Sequence, residues 1–161
     1  MLLGLSGSGQ SSIVHALEAR SHPTITDSII NTISDTNRGL EFVFLDIERH
    51  DRVRPIFRHF FNNIQALIYV LDGADGARFD EAREYLLSFL KEDELRDASL
   101  LVLVNKQDLP GAIGAEDASH LLQLSCLPGR RYHTMPCCAL SGDGLNEALE
   151  WLATSTTAPT P

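Results

Sequence analysis

Short apolar runs alternate along the chain with polar stretches in which hydrophobic residues recur at helical spacing. The runs typical of buried strands are Met1–Leu3, Glu41–Asp46, Ala66–Asp72, Leu100–Val104 and His133–Cys138. Parallel strands need a crossover element between them, so this alternation is typical of a mostly parallel sheet. We therefore predict an α/β fold with helices on both faces of a central sheet.

Helices are predicted where apolar residues share one face of a helical period. One helix is expected over Ser12–Ala19 and another over Phe79–Lys91. A closing helix has an apolar face formed by Leu145, Ala148, Leu149 and Leu152. We interpret these faces as parts of the hydrophobic core and not as ligand sites.

Two polar segments mark boundaries. Residues Ser34–Gly39 have the composition of a turn, which predicts a hairpin before the strand that ends at Asp46. The stretch Thr154–Pro161 is rich in Thr and Pro, so we expect a disordered tail there. Residues 1–153 are predicted to form one domain, since neither a repeat nor a second domain is visible.

The composition narrows the classes of partner. A net charge of −9 argues against nucleic acid or an anionic membrane as a broad-surface partner, although it is compatible with a local basic site. The three cysteines, Cys126, Cys137 and Cys138, have no metal-ligand spacing, and the adjacent pair is expected to pack in a strand. No apolar run reaches the roughly 18–20 residues of a membrane span, and no signal peptide is visible.

The tetrapeptide Asn105-Lys106-Gln107-Asp108 directly follows the apolar run Leu100–Val104. A carboxylate at Asp108 can accept hydrogen bonds from the N1–H and the exocyclic amine of guanine, a donor pattern that adenine lacks. The Asn105 side chain would tie this loop to a phosphate loop, and the Lys106 stem would lie over the purine ring. Taken alone, the tetrapeptide is also compatible with an ordinary polar turn.

The segment Gly4–Ser11 matches the phosphate-loop pattern G-x-x-x-x-G-K-[ST] except at one position. Glycines let backbone N–H groups converge on phosphate oxygens, and the following helix adds a favourable dipole. The predicted phosphate-binding residues are Gly4, Ser6, Gly7, Ser8, Gly9, Gln10, Ser11 and Ser12. Gln10 stands where the phosphate-binding lysine belongs, so we expect the affinity to fall by roughly tens- to hundreds-fold.

With these two motifs the chain resembles the Arf/Arl branch of Ras-like small GTPases over almost its whole length. The further matching segments are Pro23–Ile25, Asp46, Arg54–Phe61, Glu81–Glu84, Glu92–Asp97, Asn105–Pro110 and Cys138–Leu145. The resemblance implies a Ras-like P-loop G domain that binds GTP or GDP together with Mg²⁺.

The resemblance also implies roles for individual residues. Ser11 and Thr24 would ligate Mg²⁺, and Asp46 would hold the ion through a water. The backbone N–H of Ala139 would contact the guanine O6. The residues expected at the base are Asn105, Lys106, Asp108, Cys138 and Ala139. For Thr24, a simple turn position after Pro23 is the alternative.

The catalytic segment departs most from the family, which has Asp-x-Gly-Gly-Gln where this chain has Asp46-Ile47-Glu48-Arg49-His50. Both glycines are missing, and Glu48 adds negative charge near a polyanion. His50 replaces the glutamine that orients the attacking water and is kept as the candidate catalytic residue. Because Gln10 also lacks charge, we expect slow or negligible GTP hydrolysis.

Two alternatives to this slow switch stay open. One is a pseudo-GTPase, in which the fold serves protein contacts and binds nucleotide weakly or not at all. The other is a competent GTPase that uses His50 together with an arginine from a partner or, as a minor alternative, its own Arg49.

The N-terminal region also departs from the family, whose members usually begin with an amphipathic and often myristoylated helix. Here Leu2 follows Met1 and the phosphate loop begins at Gly4, so we expect the first strand to be truncated. Either this form is cytosolic, or its natural start lies upstream.

The expected partners are protein effectors and exchange or activating factors, with no nucleic acid. We expect a cytoplasmic monomer that acts in vesicle traffic at the periphery of endomembranes. Membrane contact would require an upstream helix or a lipid.

Overall fold

A mixed seven-stranded sheet forms the centre of the described part of the chain. The computed structural model describes residues 1–18, 22–24, 30–35, 38–45, 61 and 63–157. The strands are β1 (Leu2–Gly4), β2 (His22–Thr24), β3 (Ile30–Asp35), β4 (Leu40–Leu45), β5 (Ala66–Asp72), β6 (Ser99–Asn105) and β7 (Tyr132–Pro136). Their order across the sheet is β2-β3-β4-β1-β5-β6-β7. The pairs from β4 to β7 are parallel, whereas β2–β3 and β3–β4 are antiparallel.

The helices whose bounds are described are α1 (Gln10–Glu18), α2 (Phe79–Leu90), α3 (Ala115–Leu121) and α4 (Leu145–Thr157). Helix α2 connects the parallel strands β5 and β6, α3 connects β6 and β7, and α4 follows β7. Short 3₁₀ turns lie at Gly76–Arg78, Asp93–Leu95 and Leu124–Cys126. Within the described ranges, no helix combines the length and the apolar composition that crossing a bilayer requires.

Side chains of the central strands alternate between two hydrophobic clusters on opposite faces of the sheet. In β5, Leu67, Tyr69 and Leu71 pack in the cluster that includes α2, while Ile68 and Val70 pack in the cluster that includes α1 and α4. Successive strand residues point to opposite faces, which explains why near-continuous apolar runs are buried on both sides. Helices therefore cover both faces of the sheet, and the predicted α/β layering is confirmed.

The sequence-predicted strands agree with the observed bounds to within about one residue, except at the end of β7. The strand ends at Pro136, so the prediction that Cys137 and Cys138 pack in it is wrong. The Cys137 N–H still donates to the Val104 carbonyl of β6 at 2.9 Å, whereas the Cys138 N–H donates to the Asp143 carbonyl at 3.1 Å, so the chain leaves the sheet at Cys138. Both thiols are nevertheless buried. In the described residues, no group of three or more His, Cys, Asp or Glu side chains could hold a metal ion.

The hairpin predicted around Ser34–Gly39 is confirmed as the β3–β4 pair. The buried Asp35 carboxylate accepts hydrogen bonds from the Arg38 backbone N–H at 3.3 Å and from its guanidinium at 3.0 Å. The apolar pattern predicts neither β2 nor α3. The α3 helix is short and polar, with Ala118 as its buried side chain, so it lacks the stripe that periodicity detects.

The boundary predicted for the disordered tail is wrong by one helical turn, because α4 continues to Thr157. Ser155 is buried, and its hydroxyl donates to the Leu152 carbonyl at 3.1 Å. The Thr154 and Thr156 hydroxyls likewise donate to carbonyls of the preceding turn. These bonds satisfy polar groups inside the helix. Residues 158–161 lie outside the described ranges.

Arg130 stabilises the turn that precedes β6 through two hydrogen bonds. Its guanidinium donates to the carbonyls of Leu95 and Ala98 at 2.8 and 2.6 Å, and burial lowers the pKa of the side chain. We expect Arg130→Met to reduce the free energy of unfolding by about 1–3 kcal/mol, because two carbonyls lose a charged donor. Urea denaturation measures this loss.

The neighbouring Arg131 provides the matched control, since its side chain is exposed and the charge change is the same. Arg131→Met should change the free energy of unfolding by less than about 0.5 kcal/mol. Equal losses in the two variants would contradict the role assigned to Arg130.

Candidate functional site

Three loops meet at the edge of the sheet where the parallel strands β1, β6 and β7 end. They are residues 5–9 before α1, residues 106–114 before α3, and residues 137–144 before α4. Ligands of open α/β sheets bind at this carboxyl edge. The two motifs singled out in the sequence therefore lie on neighbouring loops.

The buried Asn105 side chain joins these three loops. Its Nδ2 donates to the Ser8 carbonyl at 2.8 Å, and its Oδ1 accepts from the Ala139 N–H at 2.9 Å. The Cys137 thiol lies 3.7 Å from the same oxygen, and burial raises the pKa of this thiol to about 12. The thiol is therefore a neutral donor at neutral pH. The predicted tie between Asn105 and the phosphate loop is confirmed.

The phosphate loop has the shape that its glycines predict. Gly7 and Gly9 have φ values of +78° and +96°, a region that side chains disfavour. A Cβ on Gly9 would lie 2.2 Å from the Asn105 Nδ2, so glycine is also required for space. Within the described residues, the N–H groups of Gly7, Gly9, Gln10 and Ser11 donate to no backbone carbonyl. A loop with unpaired amides at a helix N-terminus fits a phosphate group.

Gln10 is the position where this loop fits a polyphosphate poorly. Its Nε2 donates to the Gly4 carbonyl at 2.8 Å, so the side chain folds back onto the loop. It supplies no positive charge. The loop geometry therefore fits phosphate, while the charge expected from the motif is missing.

Asp108, the proposed base-reading carboxylate, is exposed in the loop that follows β6. Its Oδ1 accepts a hydrogen bond from the Cys138 thiol at 3.3 Å, which orients the carboxylate. The Ala139 N–H is already used by Asn105, so the predicted contact with guanine O6 would have to share or replace that bond. That contact stays a prediction.

The Lys106 ammonium pairs with a carboxylate of the neighbouring strand, and the packing of its stem over a purine ring stays a prediction. Its Nζ lies 2.5 Å from the Asp72 Oδ2, and its φ of +64° is in the left-handed region. Asp72 ends β5 and is the Cα partner of Asn105 across the sheet. Sequence reasoning missed this carboxylate, although its place at the end of a predicted strand was a usable signal.

The proposed Mg²⁺ ligands are described only in part. Ser11 is exposed in the first turn of α1. The backbone of Thr24 lies in β2 opposite Thr32, so the alternative of a simple turn is wrong. Asp46 and the candidate catalytic His50 lie outside the described residues. Two hydroxyls and a carboxylate are oxygen donors that suit Mg²⁺.

The contact between Arg78 and the phosphate loop is a second feature that the sequence did not reveal. One of its guanidinium nitrogens donates to the Ser6 carbonyl in the phosphate loop at 2.7 Å. The two residues are far apart along the chain, and Arg78 belongs to neither motif. No local pattern could have paired them.

Comparisons with known proteins agree with this geometry. The profile of the ADP-ribosylation factor family matches residues 1–156. The solved structure of the Arl6 small GTPase from Trypanosoma brucei, determined with the bound nucleotide analogue GppNp, is similar with a TM-score of 0.80 and 24% identity. The match covers 97% of this chain and 95% of that one, which confirms the predicted fold. The chain belongs to the ADP-ribosylation factor family.

Proposed function

We propose that the chain is a guanine-nucleotide-binding switch of the Arf/Arl type that hydrolyses GTP slowly and acts through protein partners. The observation that carries the proposal is the Asn105 side chain, which joins the phosphate loop to the Ala139 loop through hydrogen bonds of 2.8 and 2.9 Å. Loops that are already held in one arrangement need less ordering when a ligand binds. This preorganisation supports a retained ligand site.

The base, the phosphates and the metal ion each have proposed partners. The Asp108 carboxylate would accept hydrogen bonds from the guanine edge, and the amides of Gly7 and Gly9, which meet no backbone carbonyl among the described residues, would donate to phosphate oxygens. Ser11, Thr24 and Asp46 are the proposed Mg²⁺ ligands. Bound GTP would supply the phosphoanhydride bond and Mg²⁺ would offset its charge, while the chain binds and orients the ligand.

Slow hydrolysis is supported by the phosphate loop. Phosphoryl transfer depends mainly on positioning and on stabilisation of charge. Gln10 carries no charge, and its amide is engaged with the Gly4 carbonyl. We propose that His50 orients the attacking water in place of the usual glutamine, so that GTP is hydrolysed slowly.

A pseudo-GTPase is the second candidate function. The closed Gln10–Gly4 contact favours it, because a loop that satisfies its own groups gains less from phosphate. In either case we propose a cytoplasmic monomer that acts on protein effectors and is controlled by exchange or activating factors. A role in vesicle traffic at endomembranes is the proposed setting.

Nucleotide occupancy decides between these functions. We expect guanine nucleotide in the chromatogram of the denatured purified protein, and a rise in Tm with GDP and Mg²⁺ but not with ADP. A ligand at about 100 times its Kd stabilises the fold by about 2.7 kcal/mol, which a thermal scan resolves. Absence of guanine nucleotide, together with no thermal shift, would favour the pseudo-GTPase.

Single-turnover phosphate release then tests the hydrolysis rate. We expect Gln10→Lys to hydrolyse GTP faster than the unmodified chain, because the lysine restores charge beside the phosphates. If both release phosphate at the same rate, Gln10 does not limit turnover.

A further inference from the structure

Arg78 connects the phosphate loop to the segment between β5 and α2. It ends the 3₁₀ turn Gly76–Arg78, and its Nη1 donates to the Ser6 carbonyl at 2.7 Å. Its Nε donates to the Glu81 carboxylate at 2.8 Å, and Asp75 lies 4.0 Å away. The side chain is 36% exposed, so the guanidinium lies at the surface of the loop and not in the core.

The contact with Ser6 fixes the orientation of the next amide. The Ser6 carbonyl and the Gly7 N–H belong to one planar peptide, and the described chain has no cis peptide bond. In a trans peptide these two groups point in opposite directions. Because the carbonyl faces Arg78, the Gly7 N–H faces away from it, and it meets no backbone carbonyl in the described residues.

Arg78 is also a charged side chain that contacts the phosphate loop directly. Gln10 is neutral, and its amide donates a hydrogen bond to the Gly4 carbonyl. The Lys106 ammonium forms an ion pair with the Asp72 carboxylate. The Arg78 hydrogen bond lowers the pKa of Glu81, so both members of that pair are charged at neutral pH. The guanidinium is thus shared between a carboxylate and the loop carbonyl.

We infer that Arg78 is a positioning residue of the phosphate site, which holds the Ser6–Gly7 peptide with its N–H turned away from the guanidinium and available to a phosphate group. The inference rests on the proposed function, since it assigns a role at the same site. A charged donor on a carbonyl polarises its peptide, so the Gly7 N–H becomes a stronger donor to an anion. The recognised chemistry is a diphosphate or triphosphate and not the base.

Comparing GDP with GMP separates this role from general damage to the fold. In Arg78→Met we expect the affinity for GDP to fall about tenfold relative to the affinity for GMP, because the guanine contacts cancel in the ratio. Arg78→Lys should lose less, since it keeps the charge but not the fork of donors. Affinities come from displacement of a fluorescent GDP analogue, and urea denaturation of each free protein checks the fold.

Arg96→Met is the matched control. It removes the same charge from a side chain that is 77% exposed. Arg96 precedes β6 and lies at the end of the sheet opposite to the phosphate loop. Its GDP-to-GMP ratio should equal that of the unmodified chain. If the GDP-to-GMP affinity ratio of Arg78→Met equals that of the unmodified chain, whether or not both affinities fall, the role of Arg78 is overturned and the proposed function still stands.

Inorganic pyrophosphate tests the role of Arg78 even if the chain binds no guanine nucleotide, because it carries phosphates without a base. We expect pyrophosphate to shift the amide resonance of Gly7 in the unmodified chain and to do so less in Arg78→Met. If GDP fails to bind but pyrophosphate shows this difference, the proposed function fails and the role of Arg78 holds. If pyrophosphate causes no shift at Gly7 and GDP does not bind, both are overturned.

Discussion

Replacing Asn105 with alanine is expected to lower the free energy of unfolding by about 3 kcal/mol and to abolish measurable guanine-nucleotide binding. The substitution leaves the Ser8 carbonyl and the Ala139 N–H without their partner. Each buried polar group left unsatisfied costs about 1–3 kcal/mol. The phosphate loop and the Ala139 loop also lose the side chain that sets their spacing. Urea denaturation and GDP binding measure the two effects.

Two further variants sharpen this test. Gln65→Ala shortens an exposed amide before β5, at the end of that strand opposite to the loops, and should change neither quantity. Asn105→Asp keeps an acceptor for the Ala139 N–H but turns the donor to Ser8 into an acceptor, so it should lose binding as well. Normal GDP affinity in Asn105→Ala would show that the loops hold their arrangement without this side chain.

Asp108→Asn is expected to weaken GDP binding by about 100-fold or more while strengthening binding of xanthosine diphosphate. The carboxylate accepts from the N1–H and the amine of guanine, and each such bond to a charged group contributes about 1.5–3 kcal/mol. An asparagine amide can instead donate to the carbonyl that xanthine carries in place of the amine. The base preference should therefore reverse.

Because Asp108 is exposed, its effect on nucleotide affinity can be measured without a change in the stability of the fold. The asparagine can still accept the hydrogen bond of the Cys138 thiol, so the Tm of the free protein should change little. Binding of both diphosphates is measured by calorimetry at one ionic strength. Equal losses for guanine and xanthine nucleotides would mean that Asp108 does not read the base.

Much of the sheet could be predicted because its strands are locally distinct. The run Ala66–Asp72 was predicted with its observed bounds, since strands buried on both faces read as continuous apolar segments. The same pattern located the Asn105 loop, because a polar motif after such a run must lie at the carboxyl edge of the sheet.

The contacts that define the site were beyond local patterns. Lys106 pairs with Asp72 and Arg78 contacts Ser6, yet neither pair has a fixed spacing in the sequence. The use of the Ala139 N–H by Asn105 is likewise a consequence of packing between β6 and β7. The end of β7 is predicted two residues too late, because both cysteines are buried and the apolar run therefore continues past the end of the strand.

The central place of β1 in the sheet has a consequence for folding kinetics. This three-residue strand pairs with β4 and β5, and the Asn105–Ser8 bond beside it spans 97 residues. Closing loops of such length costs more chain entropy than forming the local hairpin contacts, so we expect these contacts to form late in folding. The ligand edge is expected to assemble after the transition state, where interactions alter the unfolding rate more than the folding rate. A ligand bound there would prolong the lifetime of the folded chain without hastening its formation.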